Sequence, residues 1–198
     1  MYLYGASGHA KVIVDILRSA NIRISGLFDD NPELKSLRDY PVFQEFKLDR
    51  LNGEQLLISI GNNAIRMCIV DTLPAEVGYG RAIASSAEIS DDVRIGEGTV
   101  VMQGAIIQSG STIGKHAIVN TQASVDHDCV LGDYVHVSPH ACLCGGVTVG
   151  EGTQIGAGAI VIPGIKIGNW CMIGAGTVVI RDVPDGVTVV GNPARVRG

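Results

Sequence analysis

Aliphatic residues recur at every sixth position along the C-terminal part of the chain, and this period is the strongest constraint on its fold. All seventeen positions at this spacing from Ile83 to Val179 are Ile, Val or Leu. A period of six fits neither an α-helix, which repeats every 3.6 residues, nor a strand with alternating side chains. It predicts short strands separated by turns, three per coil, with the aliphatic side chains in a narrow bore and each coil stacked on the next.

Small residues form a second series, four positions after each aliphatic residue. Most of them are Ala, Cys, Ser, Thr or Val, and Cys129 and Cys171 are among them. Side chains of this size fit beside the aliphatic row, near the corners of a triangular coil, while Gly, Asn and Asp supply the backbone conformations that corners require. The 26 Gly residues and the aromatic content of 5% agree with tightly turned β structure.

Residues 1 to about 80 lack the six-residue period and follow a strand–helix order instead. The predicted elements are a strand over Tyr2–Tyr4, a helix over Ala10–Ala20, strands over Ile22–Phe28 and Leu56–Ile60, and a helix ending near Leu73. Strands that alternate with helices predict a small parallel sheet of Rossmann type. The chain is therefore divided into an α/β Rossmann-like domain at 1–80 and a β-helix domain with a C-terminal tail at 81–198.

The turn after the first strand, from Gly5 to His9, has the pattern Gly-x-x-Gly. Such a turn exposes backbone N–H groups at a helix N-terminus, which suits a phosphate. The acidic pair Asp29 and Asp30 after the second strand suits a ribose or a base edge. A plain strand–helix turn with an acidic loop explains the same residues equally well, so both interpretations stay open at this point.

The net charge, the N-terminal sequence and the number of cysteines each argue against certain classes of protein. The formal net charge is −5 and no block of Lys or Arg occurs, so nucleic acid is not a predicted partner. No basic leader precedes an apolar run, and no stretch approaches the roughly 18 apolar residues of a membrane span. The five cysteines are odd in number and form no CxxC pair, which disfavours a disulfide framework. We therefore expect a cytoplasmic protein with reduced thiols.

Histidines cluster on the predicted coil, where they could act as a general base or as metal ligands. His127 lies two residues after a bore position and between two Asp residues. It should project outward beside carboxylates that raise its basicity, as a general base near neutral pH requires. A solvated surface histidine in an acidic turn is the alternative interpretation. His116, His136 and His140 also raise the possibility of a metal, but their spacing reproduces no zinc pattern and no metal site is predicted.

Six segments, taken in order together with the coil, resemble one protein family. They are Tyr4-Gly5-Ala6-Ser7-Gly8-His9, Phe28-Asp29-Asp30, Ile60-Gly61-Asn62-Asn63-x-Ile65-Arg66, Asn120-Thr121, Asp126-His127-Asp128 and His136-Val137-Ser138. The family contains hexapeptide-repeat sugar acetyltransferases: the sialic-acid O-acetyltransferases and the nucleotide 4-amino-sugar N-acetyltransferases of UDP-N-acetylbacillosamine and GDP-perosamine type. The resemblance covers essentially the whole chain. It implies a left-handed parallel β-helix of hexapeptide repeats and a homotrimer with acetyl-CoA between neighbouring coils.

The resemblance also implies roles for individual residues. His127 resembles the catalytic base of the family, and Asp128 stands where the family often has Glu and would raise the basicity of His127. The residues that would contact the acetyl-CoA co-substrate are His136, Gly145, Ala157, Ala175 and Asn120, with the backbone N–H of Gly145 facing the thioester oxygen. The residues that would contact the nucleotide sugar are Ser7, Gly8, His9, Asp29, Asp30 and Gly61.

The predicted function is acetyl transfer from acetyl-CoA to the amino group of a UDP- or GDP-linked 4-amino-deoxysugar, in the biosynthesis of a surface glycan. The amine would attack the thioester directly, without a covalent enzyme intermediate, so the cysteines are predicted to be structural. The alternatives that the sequence leaves open are O-acetylation of sialic acid or a related sugar, a metal-dependent hydratase, and a β-helix protein that binds nucleotide sugars without catalysis.

Overall fold

The N-terminal part is a five-stranded sheet with helices on both sides. The computed structural model describes residues 1–197. The elements of this part are β1 (Tyr2–Tyr4), α1 (Gly8–Ser19), β2 (Gly26–Phe28), β3 (Ser36–Leu37), β4 (Tyr40–Phe43), α2 (Leu48–Leu51), β5 (Leu56–Ile58) and α3 (Asn63–Thr72). The strand order is β3-β4-β2-β1-β5, and every pair is parallel except β3 with β4.

The apolar pattern of the sequence explains this layering. The buried residues of α1 include Ala10, Ile13, Val14 and Leu17, whose spacing places them on one face of the helix, where they share a core with Leu3 of β1. The opposite face of the sheet forms a second core with α2 and α3. The predicted Rossmann-type parallel arrangement is confirmed for β1, β2 and β5, and β4, which was not predicted, extends the parallel part of the sheet.

Several predicted element bounds were wrong. The helix begins at Gly8 rather than Ala10, and the second and third predicted strands are only three residues long. They are short because β1, which lies between them in the sheet, offers only Tyr2–Tyr4 as a pairing partner. The sequence interpretation also missed β3, β4 and α2, whose two to four residues are too few to produce a period.

The C-terminal part is a parallel β-helix with three faces. Face I contains β6 (Ala82–Ile83), β9 (Val100–Val101), β12 (Ile118–Val119), β15 (His136–Val137), β18 (Gln154–Ile155), β21 (Met172–Ile173), β23 (Thr188–Val190) and β24 (Arg195–Val196). Face II contains β7 (Glu88–Ile89), β10 (Ile106–Ile107), β13 (Ser124–Val125), β16 (Cys142–Leu143), β19 (Ile160–Val161) and β22 (Val178–Val179). Face III contains β8 (Arg94–Ile95), β11 (Thr112–Ile113), β14 (Val130–Leu131), β17 (Thr148–Val149) and β20 (Lys166–Ile167).

The six-residue period sets the register of the coil. Each strand pairs with the strand one coil later, as Val119 pairs with Val137 and Val125 with Leu143, so stacked positions are 18 residues apart. The aliphatic series fills the bore together with the small series. The fold class is confirmed: an N-terminal α/β region followed by a solenoid of hexapeptide repeats.

The corners of the coil use glycine in two different ways. Every sixth residue from Gly98 to Gly176 has a positive φ, and Asp128, at +58°, is one of the non-glycine residues in this series. Glycines two positions earlier in the hexad have no such φ, but a Cβ at Gly150 would lie 2.6 Å from the backbone nitrogen of Asn169 in the next coil. Those glycines therefore permit the close approach of successive coils.

The N-terminal part packs on the beginning of face I. Ala82, Val100 and Met102 of the coil share one buried cluster with Leu17 of α1 and Leu57 of β5. The corner residues that follow β6 and β9 are thereby covered, whereas face II carries none of these contacts. Among residues 1–197, no helix is long and apolar enough to cross a membrane.

Candidate functional site

The proposed nucleotide-sugar residues gather at the carboxyl ends of three adjacent parallel strands. Ser7 and Gly8 follow β1, Asp29 and Asp30 follow β2, and Gly61 follows β5. This edge of a parallel sheet is where α/β proteins bind their ligands. The parallel pairing explains how segments that are far apart in sequence reach one place.

The two aspartates have different surroundings. Asp29 Oδ2 accepts a hydrogen bond from the backbone nitrogen of Ala6 at 2.7 Å, and its Oδ1 accepts one from Asn31. Asp29 therefore holds the turn after β1 in place. Asp30 is exposed and accepts a hydrogen bond from the Tyr4 hydroxyl at 3.2 Å. Of the two carboxylates, Asp30 is the freer to meet a ligand.

The start of α1 presents an exposed turn. Ser7 is the N-cap residue but its side chain makes no capping hydrogen bond, and both Ser7 and Gly8 are exposed. The start of this twelve-residue helix, at Gly8, is therefore open to solvent, as an anion site at a helix N-terminus requires. Next to them, burial and then the charge of Arg66 lower the pKa of His9 to about 4. The His9 Nε2 is buried and has no hydrogen-bond partner within residues 1–197.

His136 joins the N-terminal part to the coil. Its Nδ1 lies 3.2 Å from the carbonyl oxygen of Gly61, and its Nε2 lies 3.0 Å from the side-chain nitrogen of Asn120. Burial and then Arg66 lower the pKa of His136 to about 4, so the imidazole is neutral at pH 7. The two contacts assign a tautomer in which Nδ1 donates to Gly61 and Nε2 accepts from Asn120.

His127 is exposed at the corner between faces II and III. Its Nδ1 lies 2.8 Å from Asp128 Oδ2, and its backbone nitrogen donates to Asp126 Oδ1 at 2.9 Å. The hydrogen bond to Asp128, followed by the charge of Asp126, raises the pKa of His127 above its ordinary value. Because Nδ1 is engaged by Asp128, Nε2 is the nitrogen left to exchange a proton with a ligand.

Gly145 lies one coil after His127, at the same corner. A Cβ placed on Gly145 would lie 2.5 Å from both Cε1 and Nε2 of His127, so the imidazole rests directly over this glycine. Gly146 N donates to the carbonyl oxygen of His127 at 2.9 Å and fixes the stacking of the two coils. The predicted base and the predicted thioester contact are therefore neighbours in one chain.

The other predicted acetyl-CoA residues lie elsewhere on the coil. Asn120, Ala157 and Ala175 occupy the corner between faces I and II, and His136 lies on face I. Ala157 and Ala175 are exposed and stacked one coil apart. One chain thus presents two separate groups: His127 with Gly145 at one corner, and Asn120, Ala157 and Ala175 at another, which adjoins His136 on face I.

Arg66 is a buried charge that sequence reasoning did not assign to the site. It is 1% exposed and donates five hydrogen bonds to neutral oxygens of the loop after β5, of α3 and of the coil. The available clue was its place in the matched segment that begins at Ile60. Within residues 1–197, no group of three or more His, Cys, Asp or Glu side chains is arranged to hold a metal ion.

Two family descriptions match the chain. Residues 1–73 match the PglD N-terminal domain, and residues 146–181 match the bacterial transferase hexapeptide (six repeats). A curated relative, the uncharacterized protein L142 of Acanthamoeba polyphaga mimivirus, is 33% identical over 96 residues, which is 48% of this chain. The match covers 19% of that protein, so the chain spans about a fifth of its length.

Solved structures match over nearly the full chain. PerB from Caulobacter crescentus, in complex with CoA and GDP-perosamine, is 39% identical with a TM-score of 0.93 and coverage of 100% of this chain and 96% of that one. The acetyltransferase domain of PglB from Neisseria gonorrhoeae, in complex with acetyl coenzyme A, is 35% identical with a TM-score of 0.89 and coverage of 99% and 98%. WeeI from Acinetobacter baumannii is 32% identical with a TM-score of 0.89 and the same coverage.

Proposed function

The chain belongs to the hexapeptide-repeat nucleotide amino-sugar acetyltransferases with a PglD-type N-terminal domain, and from that membership we propose its reaction. It transfers the acetyl group of acetyl-CoA to the amino group of a UDP- or GDP-linked 4-amino-deoxysugar destined for a surface glycan. The observation that carries this proposal is the full-length match to a protein bound to CoA and GDP-perosamine. Residues 1–80 bind the nucleotide sugar, and residues 81–198 provide the acyltransferase site.

The reaction is a direct displacement on the thioester. The amine nitrogen attacks the carbonyl carbon, and His127 Nε2 takes a proton from the nitrogen. The carbon–sulfur bond then breaks and the protonated His127 returns the proton to the departing sulfur, so that CoA leaves as its thiol. The contact between Nδ1 and Asp128 supports this proposal because it orients the ring and raises its basicity. The Gly145 N–H stabilises the charge that develops on the thioester oxygen.

The site forms between subunits of a homotrimer. The proposal is supported by the separation of His127 and Gly145 from Asn120, Ala157 and Ala175, which occupy a different corner of the same coil. An outward row on face II is apolar in part and uncovered by this chain; its members are Ile106, Ser124, Cys142, Ile160 and Val178. A neighbouring coil packed there brings one corner of each subunit toward the next.

The five free cysteines support a cytoplasmic location, where thiols stay reduced. Cys129 and Cys171 are buried in the bore and Cys129 donates to the carbonyl oxygen of Cys144, so both have a structural place. The direct mechanism uses none of the thiols.

Gly145→Ala is expected to lower kcat/KM by about 10²-fold, because the new methyl group displaces the His127 ring that rests on this glycine. The φ of Gly145 is outside the left-handed region, so the backbone tolerates Ala. The measurements are steady-state acetyl transfer and thermal unfolding. The matched control is Gly78→Ala, which meets open space and leaves kcat/KM unchanged. Full activity in Gly145→Ala would contradict the assigned placement of His127.

Asp128→Asn is expected to move the acid limb of the kcat/KM profile to lower pH. Asp128 is the largest cause of the raised pKa of His127, so its loss lowers that pKa and keeps the base unprotonated in more acidic buffer. The weaker base also lowers the plateau, by about 3- to 10-fold. The charge-matched control is Asp91→Asn, at an exposed residue, which leaves the limb in place. A limb that does not move would exclude His127 as the titrating group.

The reaction itself is tested by following CoA release with UDP-, GDP- and CMP-linked sugars, with and without a 4-amino group. We expect turnover with a UDP- or GDP-linked 4-amino sugar and N-acetylation in the product by mass spectrometry. Turnover only with sialic acid or CMP-sialic acid, giving an O-acetyl product, would replace the proposal with the alternative acceptor. Absence of acetyl-CoA binding by the purified protein would remove the acyltransferase proposal altogether.

A further inference from the structure

Arg66 is a buried side chain that donates hydrogen bonds to the loop after β5. Arg66, the fourth residue of α3, donates through Nη1 to the carbonyl oxygens of Ile60 at 3.0 Å and Gly61 at 3.3 Å. Gly61 O is also the partner of His136 Nδ1. The carbonyl oxygen of Gly61 therefore accepts hydrogen bonds from Arg66 in the N-terminal part and from His136 in the coil.

The same guanidinium reaches into the coil. Its Nε donates to the carbonyl oxygen of His116 at 2.7 Å, and its Nη2 donates to that of Tyr134 at 2.9 Å. His116 and Tyr134 are stacked one coil apart, at the corner between faces III and I. The remaining Nη2 hydrogen bond goes to Asn63 Oδ1 within α3. All five donors of the guanidinium are used.

A buried guanidinium with only neutral partners is costly, because the desolvation of the charge is not offset by a carboxylate. Burial accordingly lowers the pKa of Arg66 to about 10. An apolar side chain could fill the same volume, but it would leave the loop and coil carbonyls unsatisfied. The hydrogen bonds of Arg66 therefore fix the position of the loop relative to two consecutive coils.

We propose that Arg66 is a positioning residue, whose guanidinium holds the loop from Ile60 to Asn62 in the conformation that receives the nucleotide sugar. The same contacts fix that loop against the coil that carries His136. Only the identity of the ligand rests on the proposed function; the ordering of the loop by Arg66 stands on the hydrogen bonds themselves.

The test is Arg66→Lys, which keeps the charge and loses the planar fork. We expect the KM for the nucleotide amino sugar to rise at least about tenfold, while kcat and the KM for acetyl-CoA change less than about threefold. A merely structural role would lower the amount of active enzyme, and hence kcat, without separating the two KM values. Should Arg66→Lys not fold, Arg66→Gln keeps two N–H donors and the same KM separation is expected.

The matched control is Asn63→Ala. Asn63 also ties α3 to the coil, because its side-chain nitrogen donates to the carbonyl oxygen of Gly152 at 3.0 Å. Its Oδ1 accepts one of the five Arg66 hydrogen bonds, but the Arg66 hydrogen bonds to Ile60 and Gly61 do not involve Asn63 and remain possible in the variant. We expect this variant to lose stability with less than about a threefold change in either KM. An equal rise of the nucleotide-sugar KM in both variants would assign the effect to loosening of α3 and overturn the role given to Arg66.

Hydrogen exchange separates this inference from the proposed function. The amides of Ile65 and residue 66 donate to Asn62 Oδ1 and to the carbonyl oxygen of Asn62, so they report on the order of this loop. In Arg66→Lys, we expect these two amides to exchange at least about tenfold faster than in the unmodified protein, while the amides of the bore strands keep their protection. Exchange and KM both at their unmodified values would overturn the inference. A protein that acetylates no nucleotide amino sugar refutes the proposed function, and the exchange rates then still decide whether Arg66 orders the loop.

Discussion

Replacing His127 with Ala is expected to lower kcat/KM for acetyl transfer by about 10³-fold. His127 is the exposed imidazole whose Nδ1 contacts Asp128 at 2.8 Å and whose ring rests on Gly145. No other side chain at this corner combines an imidazole with a carboxylate partner among the residues described. The residual rate would reflect binding and orientation of the two substrates, which the substitution leaves in place.

The substitution should lower the rate of acetyl transfer without lowering the stability of the fold, because the His127 side chain packs against no core residue. The bore at this level is filled by Val125 and Leu143, which are untouched. Thermal unfolding and sedimentation should therefore match those of the unmodified protein. Ser109→Ala is the matched control: Ser109 occupies the same corner one coil earlier, and its hydroxyl donates to Asp92 Oδ2 at 2.9 Å. Its carbonyl oxygen, which accepts the backbone N–H of Asp128, is retained in the variant. Near-normal turnover in His127→Ala would refute its role as the base.

The coil could be predicted from sequence because one rule governs every repeat. An inward aliphatic residue at every sixth position determines where each short strand lies in the coil. The register of 18 residues then places Gly145 next to His127, one coil later. The N-terminal elements were less predictable. β3, β4 and α2 form through contacts with the rest of the sheet, which a local pattern does not contain.

The site was only partly visible in the sequence. The segment around His127 could be recognised because three titratable residues, Asp126, His127 and Asp128, are consecutive at a predicted turn. The network of His136, Asn120 and Gly61 depends on a fold that brings residues 75 positions apart to within 3.2 Å. Arg66 gave no signal of burial, since a lone charged residue in an amphipathic helix ordinarily faces water. Whether such a residue is buried, and which residues it contacts, depends on tertiary packing and cannot be predicted from composition or periodicity.

Mixed trimers are expected to regain activity that neither parent has. His127→Ala removes the group at the corner between faces II and III, and His136→Ala removes the imidazole on face I that bonds Asn120 and Gly61. Each homotrimer should lose at least about 10²-fold in kcat/KM. If every site draws His127 from one subunit and His136 from its neighbour, unfolding and reassembling an equal mixture restores intact sites.

The size of the recovery follows from symmetry. In a cyclic trimer, a site is intact when one neighbour carries only His136→Ala and the other carries only His127→Ala, which happens for about a quarter of sites under random mixing. We therefore expect about 25% of the activity of the unmodified enzyme after co-refolding, and only the residual activity of the two parents when the homotrimers are mixed without dissociation. If one subunit supplied both residues, no mixture could contain an intact site. An inactive refolded mixture of verified trimers would thus place the whole site within one chain and contradict the proposed interface.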